Sequence, residues 1–140
     1  MPRNCCAVGC RAAAASACAN CTAAWYCSPA CQSAHWPAHK LPCKAHKAAE
    51  AAFQRGLAAA AVGDLRAAAA CYATATAQRH ADACFHLGDA FMFGAGVAMD
   101  KPRAVALWRA AAEVGHLRAM HALLWGRGQC ACRLVCTCKN

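Results

Sequence analysis

Acidic residues are scarce in this chain and absent from its first third. It has 6 Asp and Glu against 15 Lys and Arg, and the first acid is Glu50. No carboxylate pair flanks a candidate base of the kind that general acid–base catalysis needs. Nucleophile-elbow and phosphate-loop motifs are missing as well. We therefore predict that the protein is not an enzyme and has no small-molecule substrate.

Strongly apolar runs are also missing. The N-terminus has no apolar core of a signal peptide, and no stretch of about 18 apolar residues predicts a membrane span. The hydrophobic fraction of 60% owes much to alanine, which favours helices more than membranes. These absences predict an intracellular protein, in the nucleus or the cytoplasm. In a reducing compartment, paired cysteines are expected to bind metal rather than to form disulfides.

Cysteine, by contrast, is abundant, and it falls into close pairs near the N-terminus. The four pairs of Cys or His ligands are Cys6 and Cys10, Cys18 and Cys21, Cys27 and Cys31, and His39 and Cys43. This spacing predicts two tetrahedral Zn²⁺ sites, one with four thiolates and one with three thiolates and an imidazole. So short a segment buries too little apolar surface to fold alone, which indicates that zinc is structural. Four protein ligands at each ion would also leave no open position for catalysis.

The net charge of +9 suggests nucleic acid as a partner, but zinc changes the count. Ligation by seven thiolates and two divalent ions would lower the charge by three, to about +6. The positive residues are scattered, and a dense basic run with interleaved aromatics is absent. A protein or peptide partner is therefore our first choice, and nucleic acid is the second.

The segment from residue 25 to residue 43, WYCSPACQSAHWPAHKLPC, resembles the MYND zinc-finger family. The resemblance implies a cross-braced finger, in which alternate ligand pairs share an ion. The first zinc would be held by Cys6, Cys10, Cys27 and Cys31, and the second by Cys18, Cys21, His39 and Cys43. It also implies that Gln32 and Trp36 line a shallow groove for short proline-containing peptides. The alternative is that Trp36 only covers the small core.

Two ligand choices stay open within this resemblance. Cys5 competes with Cys6, which we favour because it gives the tighter loop. His35 competes with His39, and we expect His35 to face solvent instead. Because Pro37 disfavours helical geometry at the residue before it, a helix that starts at Ser28 should end near His35.

From residue 46 to residue 128 the chain is rich in alanine and has helical periodicity. We predict helices over 48–62, 65–79, 82–93, 100–114 and 116–125, with Asp64 and Asp100 as N-caps. Residues 81–119 resemble the Sel-one-like repeat, a relative of the tetratricopeptide repeat. This implies an all-α, tetratricopeptide-like solenoid of about two and a half repeats. His80 and His116 are expected at surface or inter-helix positions.

The predicted architecture has three parts. Residues 1–45 form the zinc finger, residues 46–128 form the helical repeats, and residues 129–140 form a Cys-rich tail. The tail contains Cys130, Cys132, Cys136 and Cys138, and whether it binds a third metal ion stays open. We predict an adaptor that uses both folded parts to bind proteins, with a zinc-dependent nucleic-acid-binding protein as the alternative.

Overall fold

A computed structural model describes residues 3–126, with side chains described as far as Leu124. The Cys-rich tail predicted at 129–140 lies outside the described residues. The elements are β1 (Ser16–Ala17), β2 (Trp25–Tyr26), α1 (Pro29–Ala61), α2 (Leu65–Thr76), α3 (Ala81–Phe93), α4 (Lys101–Glu113) and α5 (Leu117–Gly126). Internal contacts divide the chain into two compact units, Met1–Glu50 and Ala51–Asn140. Within residues 3–126, every helix is too short or too polar to span a membrane.

The first unit contains a small hairpin beside an extended N-terminal segment. Strands β1 and β2 pair antiparallel, with Ser16 opposite Tyr26. Residues 4–6 run alongside in extended form: Asn4 bridges to Ala13, and the Cys6 N–H donates to the carbonyl of Trp25 at 2.8 Å. The largest side chain in the core is Tyr26, and four of the other six buried residues are cysteines. So small an apolar core agrees with a fold that depends on metal.

Helix α1 corrects the prediction that the first helix ends near His35. It continues to Ala61, with Pro37 and Pro42 in its interior, and includes most of the separate helix predicted over 48–62. An interior proline removes one backbone hydrogen bond and costs about 3 kcal/mol. We infer that the finger offsets this cost, because one helical turn places His39 and Cys43 together at the same ligand cluster.

Side-chain caps define the helices of the second unit and recur at an interval of 36 residues. Asp64 caps α2 and Asp100 caps α4, each accepting the backbone N–H three residues later. His80 and His116 do the same at the starts of α3 and α5. The two Asp caps confirm the sequence prediction. The two His caps were missed, because Nδ1 of histidine is an uncommon helix cap and periodicity does not reveal it.

The packing of the helix pairs repeats as well. Gly56 of α1 lies against Tyr72 of α2, and a Cβ added there would meet the ring at 2.5 Å. Gly88 of α3 lies against Trp108 of α4, and an added Cβ would again meet the ring at 2.5 Å. Tyr72 and Trp108 are 36 residues apart, whereas Gly56 and Gly88 are 32 residues apart, about one helical turn less. In both pairs, therefore, a glycine on the first helix admits an aromatic ring of the second.

A ring stack joins each pair to the next helix. Phe53 stacks on His80, with ring centroids 4.8 Å apart and an interplanar angle of 29°. Phe85 stacks on His116 at 5.0 Å and 28°. Each capping histidine therefore also packs on a phenylalanine from the preceding helix pair. Cys84 of α3 is buried, whereas Cys71 of α2 is only half-buried.

Candidate metal centre

The first ligand cluster contains Cys5, Cys10, Cys27 and Cys31, whose sulfur atoms all lie within 4.8 Å of one another. Cys10 Sγ lies 3.7 Å from Cys27 Sγ, which lies 3.5 Å from Cys31 Sγ. A tetrahedral ion with Zn–S bonds of about 2.3 Å would place sulfur atoms about 3.8 Å apart. The cluster therefore has both the donor chemistry and the spacing that Zn²⁺ requires.

This arrangement differs from the prediction at one ligand, since Cys5 stands where Cys6 was predicted. The segment containing both is extended, so that neighbouring side chains point in opposite directions. Cys5 is buried in the cluster, whereas Cys6 is exposed and its Sγ accepts the N–H of Trp25 at 3.4 Å. Loop length, on which the choice of Cys6 was based, does not show which of two adjacent cysteines points inward. Ligation by Cys6 stays an untested prediction from the sequence, the structure favours Cys5, and metal analysis can decide between them.

The second cluster contains Cys18, Cys21, His39 and Cys43, all of them buried, with donor atoms within 4.8 Å of one another. Cys18 Sγ and Cys43 Sγ are 4.0 Å apart, and Cys21 Sγ is 3.3 Å from Nε2 of His39. These are the four residues predicted for the second ion. Three thiolates and one imidazole, removed from water, fit Zn²⁺ better than a hard cation such as Mg²⁺.

The two clusters interlock along the chain. The first takes residues from the N-terminal segment and from the junction of β2 with α1, while the second takes residues from the hairpin loop and from α1. The Ser28 hydroxyl accepts the N–H of Cys31 at 3.3 Å and so caps the helix that carries Cys31, His39 and Cys43. The single helix α1 thus contributes residues to both clusters, and the residue pairs of the two clusters alternate along the chain.

Backbone donors favour the thiolate form at two ligands. The N–H of Ala7 is the main cause that lowers the pKa of Cys5 to about 7. Burial would raise the pKa of Cys18, but the N–H groups of Asn20 and Cys21 and the side chains of His39 and Cys21 together lower it to about 6. The hydrogen bond with Cys31 raises the pKa of Cys27 to about 12. Zn²⁺ binds cysteine as the thiolate, so its binding to the seven cysteines of the two clusters releases the protons that remain.

Asn20 supports the second cluster in a way that the sequence did not predict. Its Nδ2 donates to Cys43 Sγ at 3.2 Å, while its Oδ1 accepts from Nζ of Lys47 at 3.0 Å. Such bonds to a ligand sulfur orient the ligand and tune its charge. Only the position of Asn20 between two ligands, Cys18 and Cys21, hinted at this role.

His35 is not the solvent-facing residue that was expected. Its Nδ1 is hydrogen-bonded to the Tyr26 hydroxyl at 3.0 Å, and its ring stacks on His39 with centroids 5.7 Å apart. It lies outside both clusters, and its ring packs against that of His39 in the second cluster. Its partner, Tyr26, is almost completely buried.

Gln32 and Trp36 lie one turn apart on α1: Gln32 follows Cys31 of the first cluster, and Trp36 lies beside His39 of the second. Trp36 contacts the ring of His39 edge-on at 6.0 Å, yet 40% of its surface is exposed. Gln32 is half-buried. Trp36 is therefore partly accessible to solvent, although it packs on His39.

The comparison with known families decides the identity of this unit. The family model of the MYND finger matches residues 4–43. Residues 4–43 are a MYND finger. The two clusters are consistent with two Zn²⁺ ions, one in each, and the finger is a typically non-catalytic domain generally used for protein–protein interaction. No curated protein and no solved structure matched the chain, and no family was identified for the helical region.

Proposed function

We propose that the protein is a zinc-dependent adaptor whose MYND finger binds short proline-containing peptides at Gln32 and Trp36. The observation that carries this proposal is the exposed Trp36 ring on a helix held by both clusters. A rigid aromatic side chain with one wet face binds proline rings at little entropic cost. The helix that presents it also carries the zinc ligands, so the surface is formed before a peptide arrives.

The helical region is proposed as a scaffold of the tetratricopeptide-like, Sel-one-like kind. Support comes from the 36-residue interval between the Asp caps, the His caps and the aromatic rings. Recurrence of whole helix pairs at a fixed interval is typical of repeat proteins. This part would give the adaptor a second binding surface.

The test uses a fluorescent peptide with two prolines and its counterpart with alanine at both positions. Binding to the zinc-loaded protein is measured by fluorescence anisotropy. We expect Trp36→Ala to weaken binding of the proline peptide about tenfold or more, as for a central aromatic anchor. Leu41→Ala is the control, because Leu41 is 75% exposed on the same helix. Equal binding of both peptides, or an unchanged affinity in Trp36→Ala, would contradict the proposal.

A nucleic-acid-binding finger is the second candidate, and a row of lysines on α1 favours it. Lys40, Lys44 and Lys47 are exposed and share one helix face, with no acid before Glu50. Like charges four residues apart on a helix repel each other and destabilise it. Binding to an anionic partner such as nucleic acid would offset this repulsion. If a DNA oligonucleotide bound with a steep salt dependence that Lys40→Gln and Lys44→Gln reduced, this function would be preferred.

A further inference from the structure

One face of α5 carries large apolar side chains where α3 has small ones. Counting from the capping residues His80 and His116, each position in α3 has a counterpart 36 residues later in α5. The counterparts are Ala81 and Leu117, Cys84 and Met120, and Gly88 and Leu124. In α3, Gly88 lies against Trp108 of α4, and Cys84 belongs to the same core cluster as that ring. This side of α3 is therefore where the next helix packs.

In α5 the corresponding side chains are exposed. Leu117, Met120 and Leu124, which we call the α5 stripe, keep 78%, 44% and 63% of their surface accessible. Their spacing of three and four residues places them on one face of the helix. Contiguous exposed apolar side chains of this size mark interaction sites. The stripe therefore corresponds in position to the face of α3 that packs against α4. Within residues 3–126, however, no helix covers it.

A groove flanks the stripe on either side, and each groove contains an arginine. One, of about 340 Å³, is lined by Arg109, Met120, Leu123 and Leu124. The other, of about 480 Å³, is lined by Phe85, Leu117, Arg118, His121 and Ala122. The sequence of α5 contains no acid. The rim of the stripe is therefore positive.

Three acids lie on α3 and α4. Asp89 of α3 interacts with Arg118 less strongly than with His86, and the other two have partners of their own. Asp82 of α3 lies 3.0 Å from Nε2 of His116. Glu113 of α4 pairs with Arg79 at 3.8 Å. An apolar stripe between two basic grooves is complementary to an apolar helix face flanked by acids.

We propose that the α5 stripe docks an acidic amphipathic helix of a partner protein. A helix fits because α4 occupies the corresponding side of α3 and because the stripe has the spacing that helix-in-groove recognition uses. Acidic flanks fit because they would meet Arg109 and Arg118. The proposal does not rest on peptide binding by the finger, since all the residues concerned belong to the other unit.

Charge argues against two other occupants. A second copy of the chain would bring Arg109 and Arg118, which line the grooves beside the stripe, into one interface with their own copies, where like charges repel. Residues 127–140 contain Arg127, Arg133 and Lys139 and no acid, so that segment would add positive charge to a positive rim. An acidic helix is the occupant that lowers the electrostatic energy of this surface.

The experiment measures two fluorescent helical peptides of roughly five turns binding to the full zinc-loaded chain. Both have leucines at positions i, i+3, i+4 and i+7, and the remaining positions are rich in glutamate in one and in lysine in the other. We expect the glutamate peptide to bind at least about tenfold more tightly than the lysine peptide. In the triple variant Leu117→Gln, Met120→Gln, Leu124→Gln, the affinity for the glutamate peptide should fall about tenfold or more.

Two further variants separate binding from folding. Val62→Gln is the matched control, because Val62 is 82% exposed and lies away from α5 in the sequence, and it should bind like the wild type. The pair Arg109→Glu and Arg118→Glu should shift the preference towards the lysine peptide while circular dichroism stays unchanged. That reversal cannot come from unfolding, which would weaken both peptides alike.

Four outcomes would overturn the proposal. They are equal affinity for both peptides, an unchanged affinity in the triple variant, self-association that the triple variant abolishes without any peptide binding, and peptide binding that appears only after residues 127–140 are removed. The third result would make a second copy the occupant. The fourth would make it the C-terminal segment.

Discussion

The MYND finger and the helical region of this protein are held together by different means. Of the seven buried residues in the core of the finger, four are cysteines of the ligand clusters, and only Tyr26 is large. The helical region instead buries alanines against Tyr72, Phe85 and Trp108. The first unit therefore depends on coordination bonds, and the second on close approach of helices. The two should respond differently to metal, to mutation and to acid.

Removal of zinc should produce the largest difference between the two regions. A strong chelator should unfold the finger, because structural zinc contributes on the order of 10 kcal/mol to such domains. The finger portion of α1 should melt with it, since Pro37 and Pro42 interrupt that helix. Helices α2 to α4 should keep their amide protection.

Hydrogen exchange read by mass spectrometry, with and without the chelator, measures both regions in one sample. Added Zn²⁺ in excess should restore protection in residues 3–46 and serves as the control for damage by the chelator. If α2 to α4 lost protection together with the finger, the division into a metal-held and a packing-held unit would be wrong.

The next largest effect concerns two adjacent cysteines of the finger. Cys5→Ser should lower the zinc content from two ions per chain to one, because it removes a sulfur of the first cluster. Cys6→Ser is the matched control and should keep both ions, since Cys6 is exposed outside the cluster. Native mass spectrometry counts the ions. The reverse result would restore Cys6 as the ligand.

This pair of residues shows how far the sequence could predict the finger. Spacing and the family resemblance predicted seven of the eight donors that the structure brings together. The eighth depended on which way an extended strand turns its side chains, which loop length does not indicate. The continuous helix α1 was missed for a related reason: local proline preferences predicted an end near His35, and the geometry of the second cluster prevailed.

The helical region was predictable to within a few residues where caps and glycines mark helix ends. Asp64 and Asp100 gave the starts of α2 and α4. The contact between Gly56 and Tyr72 could not be predicted from the sequence of α1 alone. A glycine inside a helix indicates only that the helix is less stable there, and it does not indicate what packs against it. It becomes interpretable once Gly88 and Trp108 repeat the same contact.

A methyl group at the helix contact should destabilise the second region alone. In Gly88→Ala the new Cβ would lie 2.5 Å from the Trp108 ring, which must shift. We expect a loss of about 1–3 kcal/mol in the free energy of unfolding, as is typical of overpacking. The zinc content should stay at two, because no ligand is touched.

Chemical denaturation measures the loss, and Trp108→Leu provides the control. If the clash is the cause, the double variant should be less destabilised than the sum of the two single variants. Additive effects would mean that Gly88 and Trp108 do not interact energetically. The claim that a glycine admits the aromatic ring of the paired helix would then be wrong.

The smallest expected difference between the two regions is in how their stability responds to acid. His86 is half-buried among rings, stacking on Tyr72 at 5.4 Å, and burial lowers its pKa below the ordinary value. Below about pH 6.5 the unfolded chain therefore binds a proton that the folded chain resists, so stability falls as the pH falls. Burial raises the pKa of the neighbouring Asp89, so the contribution of that group to stability has the opposite sign and increases as the pH falls through its raised pKa.

In His86→Gln the loss of stability between pH 7 and pH 5 should be smaller than in the wild type, by about 0.5 kcal/mol or less, because solvent screens a half-exposed group. Hydrogen exchange in α2 to α4 measures it without interference from the finger. There the same acid competes with Zn²⁺ for thiolates and should release the metal. An equal pH dependence in wild type and variant would remove His86 as the cause.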